Sequence, residues 1–194
     1  MAVTDDRKYT KAFVYNLLEG VKGKTLGEVD KSHQFARTQN SEKITGIAGD
    51  VIEQSVFGYE RDSNQECDIE IDGILTELKT TGVRVPKSLK NVKGKQGEAY
   101  NLYLGAKEGI SITGVTFEPS IQTDFNTSHF WEKSEHLLIV FYEYKSYEVV
   151  PASEYSKFPI IDYCYNSFSE EEKAKLEDYR SKYAAAKEKL AKMN

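Results

Sequence analysis

Residues Cys67 to Thr81 read C-D-I-E-I-D-G-I-L-T-E-L-K-T-T. The pair Asp72-Gly73 sits between two short alternating runs, which marks a hairpin closed by a two-residue turn. With only those two residues in the loop, Ile71 pairs with Ile74, Glu70 with Leu75, Ile69 with Thr76 and Asp68 with Glu77. Side chains alternate between the faces of a strand. Ile69, Ile71, Ile74 and Leu78 are therefore expected on a core face, with Asp68, Glu77 and Lys79 on the other. Two carboxylates directly across a ladder have Cβ atoms only about 5 Å apart and repel. A divalent cation between them removes that penalty.

An acidic hairpin at a sheet edge, carrying ordinary solvated charges, accounts for most such stretches. The Glu77-Leu78-Lys79 sequence argues for more. A glutamate and a lysine two apart on one face, with an aspartate opposite, is the arrangement of nucleases whose signature is a separated Asp followed by Glu-x-Lys. The chemistry asks for these types. Carboxylate oxygens hold a hard cation such as Mg2+ beside a phosphate. The cation polarises the phosphoryl oxygen and acidifies bound water. An ammonium positions that water and offsets developing charge. Taken alone the motif is short, so it needs support from the rest of the chain.

The chain has 194 residues, enough for one domain, and 39% hydrophobic and 12% aromatic content suits a packed core. No apolar run approaches a membrane span, and the residues from Met1 onward lack a signal-peptide pattern. Cys67 and Cys164 have no metal-type spacing, and such sparse cysteine implies a reduced, cytoplasmic setting. A net charge of −5 argues against a uniformly basic nucleic-acid binder. The charge is segregated, however. No acid falls between Glu77 and Glu98, where Lys79, Arg84, Lys87, Lys90, Lys93 and Lys95 gather, whereas acids cluster at Glu170 to Glu172. A phosphate-facing surface on an acidic protein requires such segregation.

Periodicity places a first helix over Asp5 to Glu19 and a Thr25/Glu28 capping box ahead of a short second one, with loop over Ser32 to Asn40. Ile44 to Phe57 carries a helical apolar stripe ended by Gly58. Glu53 lies off that stripe, in line with Gly46 and Gly49, whose helical cost suggests close approach of another backbone. By itself Glu53 is an exposed helical carboxylate; one helix before the acidic hairpin, it is a candidate third acid. Gly82 to Gly97 reads as a basic loop, and Arg84, Lys87, Lys90, Lys93 and Lys95 are its candidate DNA contacts. Strands are expected over Tyr100 to Leu104 and Ile110 to Phe117. Thr127-Ser128 caps a helix reaching Lys133, and Leu137 to Tyr144 is apolar enough for a central strand, with Tyr147 to Val150 pairing beside it. A loop lies between Pro151 and Pro159. A Ser169/Glu172 capping box opens a last helix with a seam at Leu176, Tyr179, Tyr183, Ala186, Leu190 and Met193. His33, His129 and His136 lack ligand spacing.

Five segments, in order, carry a resemblance: Gly23-Lys-Thr-Leu-Gly-Glu28; the helix bearing Glu53 and ending Phe57-Gly58; Asp68 with Thr76-Glu-Leu-Lys-Thr-Thr81; Thr127-Ser-His with Lys133 ahead of the apolar strand; and Ser169-Glu-Glu-Glu172. The chain resembles the MutH-like endonuclease family, which comprises mismatch-repair nicking enzymes and the related type II restriction endonucleases that cut at GATC. The resemblance implies an α/β fold of the restriction-endonuclease-like class, a mixed sheet flanked by helices with double-stranded DNA in a cleft over the hairpin. It implies Mg2+ held by Asp68 and Glu77, helped by the Leu78 carbonyl and by Glu53. Lys79 would orient the attacking water, and Lys133 would face the scissile phosphate.

The chain departs from the family in two ways. Relatives place six residues between aspartate and glutamate, whereas eight separate Asp68 from Glu77, and Glu70 has the usual spacing. The two-residue turn favours Asp68; another register would favour Glu70. Relatives also continue past this last helix into a base-reading arm or domain. Residues 1–194 are therefore expected to be one catalytic domain, the N-terminal part of a longer enzyme, with a second copy or C-terminal domain as partner. The alternatives are a non-catalytic DNA-binding or dimerising half and a mismatch-repair nicking enzyme.

Overall fold

Asp72 and Gly73 both adopt positive φ, 49° and 83°, the pairing that closes a hairpin in the twist sense of its strands. Strand β2 (Ile69–Ile71) runs into β3 (Ile74–Arg84), with Ile71 opposite Ile74, Glu70 opposite Leu75 and Ile69 opposite Thr76, the register expected from sequence. The computed structural model describes residues 7–41, 43–60, 66–86, 104–107 and 124–191, leaving out the side chains of 183, 184 and 186–191. Among the described residues six strands form one mixed sheet in the order β1-β2-β3-β5-β6, with β4 on β3. The architecture is thus the expected α/β class. β1 (Lys8–Tyr9) runs parallel to β2, and β5 (His136–Glu143) runs parallel to β3. β4 (Gly105–Ala106) and β6 (Ile160–Ser167) are antiparallel to their neighbours.

Both faces of β3 are covered because β5 beside it is apolar on both sides. On one face Leu78, Leu138 and Val140 join the principal core with Val14, Leu18, Leu26, Val51, Ile52 and Phe57. These last six come from α1 (Lys11–Val21), α2 (Leu26–Val29), α3 (Ile47–Val51) and the π-helical turn Ile52–Phe57 that continues α3. On the other face lies α4 (His129–Ser134), started by the Ser128 hydroxyl, which accepts from the Trp131 amide at 3.2 Å. The Thr25/Glu28 capping box forms, as does the Ser169/Glu172 box that opens α5 (Glu170–Ala191).

Several expectations change. Ile74 is 41% exposed although its ladder partner Ile71 is buried, so at the turn the core covers the β2 arm and not the β3 arm. The first helix starts only after Thr10, which caps it, and Tyr9 lies in β1. A 3-10 helix occupies Gln34–Gln39, anchored by the Asp30 carboxylate, which accepts from the Gln34 and Phe35 amides at 2.8 and 2.9 Å. Gly46 is not inside a helix but precedes α3 at φ 78°, and a Cβ on Gly49 would meet only Glu53 Oε1 at 3.7 Å. No backbone closely approaches either glycine. Tyr147 to Val150 does not pair with β5. Tyr144 and Ser146 hydroxyls donate to the Glu148 carbonyl and fold that stretch back, so β6 takes the position. The seam on α5 is not its contact line: Tyr179 is 71% exposed, and Lys173 and Arg180 lie over the Trp131 and Phe125 rings. Gly82 to Arg84, expected in the basic loop, instead extend β3 beside β5; the rest of that loop beyond 86, the expected strand over 110–117 and most of that over 100–104 lie outside the described residues.

Candidate active site

Strand β3 places Glu77 and Lys79 two residues apart, hence on one face, opposite to core-facing Leu78. Glu77 is 1% exposed. Burying a carboxylate is costly unless it is paired, and here two ammonium groups reach it. Lys79 Nζ lies 2.6 Å from Oε1, and Lys133 Nζ, from α4, lies 3.3 Å from Oε1 and 3.2 Å from Oε2. Lys133 reaches Oε2 at ion-pair distance without hydrogen-bond geometry. Oε2 is therefore buried with no hydrogen-bond donor among the described residues.

Asp68 stands just before β2 rather than in its ladder. Its Oδ2 accepts from the Leu78 amide at 2.9 Å, which draws it across to β3 beside Glu77. Burial first, and then the charge of Glu77, push its carboxyl above the usual carboxylate range, against the pull of the Leu78 amide, Lys79 and Lys133. One small volume thus holds Asp68, Glu77, Lys79 and Lys133. The Leu78 group described here is its amide, bonded to Asp68. Glu70, the alternative first ligand, faces Leu75 nearer the turn and pairs with Lys8 at 3.1 Å.

Glu53 sits in the π-helical turn, a widened turn often found at functional positions. Its carbonyl accepts from the Gly58 and Tyr59 amides at 2.9 and 3.2 Å, tying the end of the turn to the following chain. Burial first, and then the charges of Glu53 and Asp68, hold the Tyr59 phenol above its ordinary range. Tyr59 is a residue that sequence reasoning missed, since a tyrosine after Phe57-Gly58 has no motif of its own. Cys67 is another: its Sγ donates to the Glu132 carbonyl at 3.5 Å, and burial pushes its thiol up to about 11, so it is an inert clasp between the hairpin and α4. Among the candidate DNA contacts, Arg84 donates to the Ser146 carbonyl at 2.9 Å and lies over the Tyr147 ring at 5.4 Å. Lys87, Lys90, Lys93 and Lys95 lie outside the described residues.

Among those residues no three acids, histidines or cysteines converge into a metal cage. A pair of carboxylates still suits Mg2+, which keeps several waters and binds through one or two carboxylates plus substrate phosphate. The buried, undonated Oε2 of Glu77 and the repulsion felt by Asp68 are what such a cation would relieve.

The family model for the DNA mismatch repair enzyme MutH matches residues 57–178. The chain belongs to the MutH family. The match takes in the hairpin, Lys133, β5 and β6 and begins after Glu53. The chain is also 28% identical over 135 residues to the type II restriction enzyme Sau3AI of Staphylococcus aureus. That similarity covers 70% of this chain and 23% of the relative's length. Among the described residues no helix is long and apolar enough to cross a membrane.

Proposed function

We propose that this chain is the hydrolytic domain of a type II restriction endonuclease of the MutH family, cutting double-stranded DNA with Mg2+ at or near GATC. The observation that carries the reading is the buried Glu77, one of its oxygens lacking a donor among the described residues, with two lysines and the half-buried Asp68 beside it. Membership of the family and likeness to a restriction enzyme support DNA as substrate. The cation, when bound, supplies polarisation of the phosphoryl oxygen and acidification of a water molecule.

Every other role falls to the chain's own residues. Asp68 and Glu77 hold the metal, with Glu53 orienting water from the helix side. Lys79, fixed by Glu77 at 2.6 Å, has ammonium protons free to orient the attacking water toward phosphorus. Lys133, with its side chain buried in α4, offsets charge building on the scissile phosphate. Trp131 of α4 packs on Phe125 with ring centroids 5.3 Å apart, and both are buried.

Plasmids with and without GATC, incubated with Mg2+, test the proposal. Wild type should cut only the GATC plasmid, and Asp68→Ala, Glu77→Ala and Lys79→Ala should each leave it intact. Cleavage unchanged in all three variants would remove the assigned site; equal cutting of both plasmids would remove the target.

A further inference from the structure

Glu77 is the acid that the proposal gives to a cation, yet in this protein its charge is already matched. Lys79 Nζ lies 2.6 Å from Oε1, and Lys133 Nζ bridges the carboxylate, 3.3 Å from Oε1 and 3.2 Å from Oε2. Oε2, which has no hydrogen-bond donor among the described residues, thus has an ammonium at ion-pair distance. A divalent cation at this buried group has to share it with both lysines, and like charges that close repel strongly out of water.

The formal charges sharpen the conflict. Asp68 and Glu77 are two acids, Lys79 and Lys133 two bases, and their charges cancel. A divalent cation entering alone leaves its own charge uncompensated. A phosphodiester entering with it takes back part of that excess. Lys133 links the two events. It is 4% exposed, and among the described residues Glu77 is its one ion-pair partner. A buried ammonium stripped of its partner is strongly destabilising, so Lys133 gives up Glu77 only for another anion. Its flexible stem lets the charged head turn to one nearby.

We infer that Lys133 is a latch on Glu77 which a DNA phosphate releases, so that the divalent cation and the duplex load together. By linkage each then raises the affinity for the other by the same factor. The inference deepens the endonuclease reading and rests on it.

Calorimetric titration of the full chain with Ca2+, a hard cation that takes oxygen ligands as Mg2+ does, tests it. Wild type should bind the ion about 10-fold or more tightly when a duplex that it cuts with Mg2+ is present, within the usual range of coupling between two ligands. Lys133→Gln drops the charge and keeps an N–H for Glu77. Without DNA it should bind Ca2+ about 10-fold more tightly than wild type, and the duplex should then add less than about 3-fold. Lys133→Met is read in the same way should the glutamine variant fail to fold. A duplex that adds nothing to wild-type affinity would overturn the latch without any variant. So would Lys133 variants that hold Ca2+ without DNA no better than wild type, or that gain as much from the duplex, since the phosphate would then couple by touching the ion itself. In each of those cases the endonuclease reading stands if wild type cuts DNA with Mg2+ while Asp68→Ala loses both Ca2+ binding and cleavage. If wild type and Asp68→Ala bind Ca2+ alike and neither cuts DNA, that reading falls and takes the inference with it.

Discussion

Strand β3 gathers cations at both of its ends and uses them differently. At its first half Lys79 and Lys133 close on the buried Glu77, with Asp68 pressed against the same group. At its far end Arg84 and Lys107 rest on tyrosine rings instead: Arg84 over Tyr144 and Tyr147, Lys107 over Tyr144 at 4.5 Å. A cation on a ring at a part-exposed site gains about 0.5–1 kcal/mol, and losing it harms little else. A buried ion pair contributes little net stability as a pair, yet removing one partner costs about 3–5 kcal/mol. One end of the strand, the proposed catalytic one, is thus intolerant of change, and the other is ordinary packing that also offers positive charge to solvent.

The largest expected effect follows from removing the shared carboxylate. Glu77→Ala leaves Lys79 and Lys133 buried against each other and should lower unfolding free energy by about 3–5 kcal/mol. Urea denaturation measures this, and plasmid cleavage should fall to background in the same protein. A loss below about 1 kcal/mol would mean that the two ends of β3 do not differ as described.

Asp68→Asn should separate stability from function at that same end. Burial and the Glu77 charge disfavour the ionised form of Asp68, so a neutral isostere relieves the fold while it weakens the proposed metal site. The metal-free protein should melt at or above the wild-type temperature in a calorimetric scan, yet cleave nothing. A clear fall in melting temperature would show that the Asp68–Leu78 bond matters more to the fold than the repulsion does.

At the far end smaller numbers are expected. Arg84→Ala loses one carbonyl bond and two ring contacts and should cost about 1 kcal/mol in urea denaturation. Combined with Lys87→Ala, it should flatten the dependence of log DNA affinity on log salt by about one to two, since each phosphate contact adds nearly one to that slope. An unaltered slope would exclude this end from the DNA interface. Ser169→Ala should have the least effect, about 0.5 kcal/mol from the lost cap of α5. Among the described residues that helix meets α4 and the ring beside it through Lys173 on Trp131 and Arg180 on Phe125, so cleavage should stay near wild type.

The contrast along β3 also marks how much the sequence discloses. The hairpin register was legible because Asp-Gly supplies two residues that accept positive φ, and the face of every side chain follows from the register. That put Asp68 near Glu77, although Asp68 arrives by accepting from the Leu78 amide and not as a ladder partner. The burial of Lys133 against Glu77 depends on how α4 docks across the sheet, which no local pattern encodes; the resemblance alone pointed to it. β6 was hidden because its residues Ile160–Ser167 are mixed in polarity, as suits a half-covered edge strand. The α5 seam misled for the opposite reason: apolar residues recur at helical spacing, while the contacts run through Lys173 and Arg180 stems and heads on aromatic rings.

The account depends on Asp68 and Glu77 sharing one divalent cation. A crystal soaked with Mn2+ and measured at the manganese absorption edge locates that cation directly. A single strong anomalous peak is expected at bonding distance, about 2.0–2.3 Å, from a carboxylate oxygen of each residue, with Lys79 alongside. A peak between Glu70 and Glu77, or none near Glu77 in protein that cleaves DNA, would contradict it.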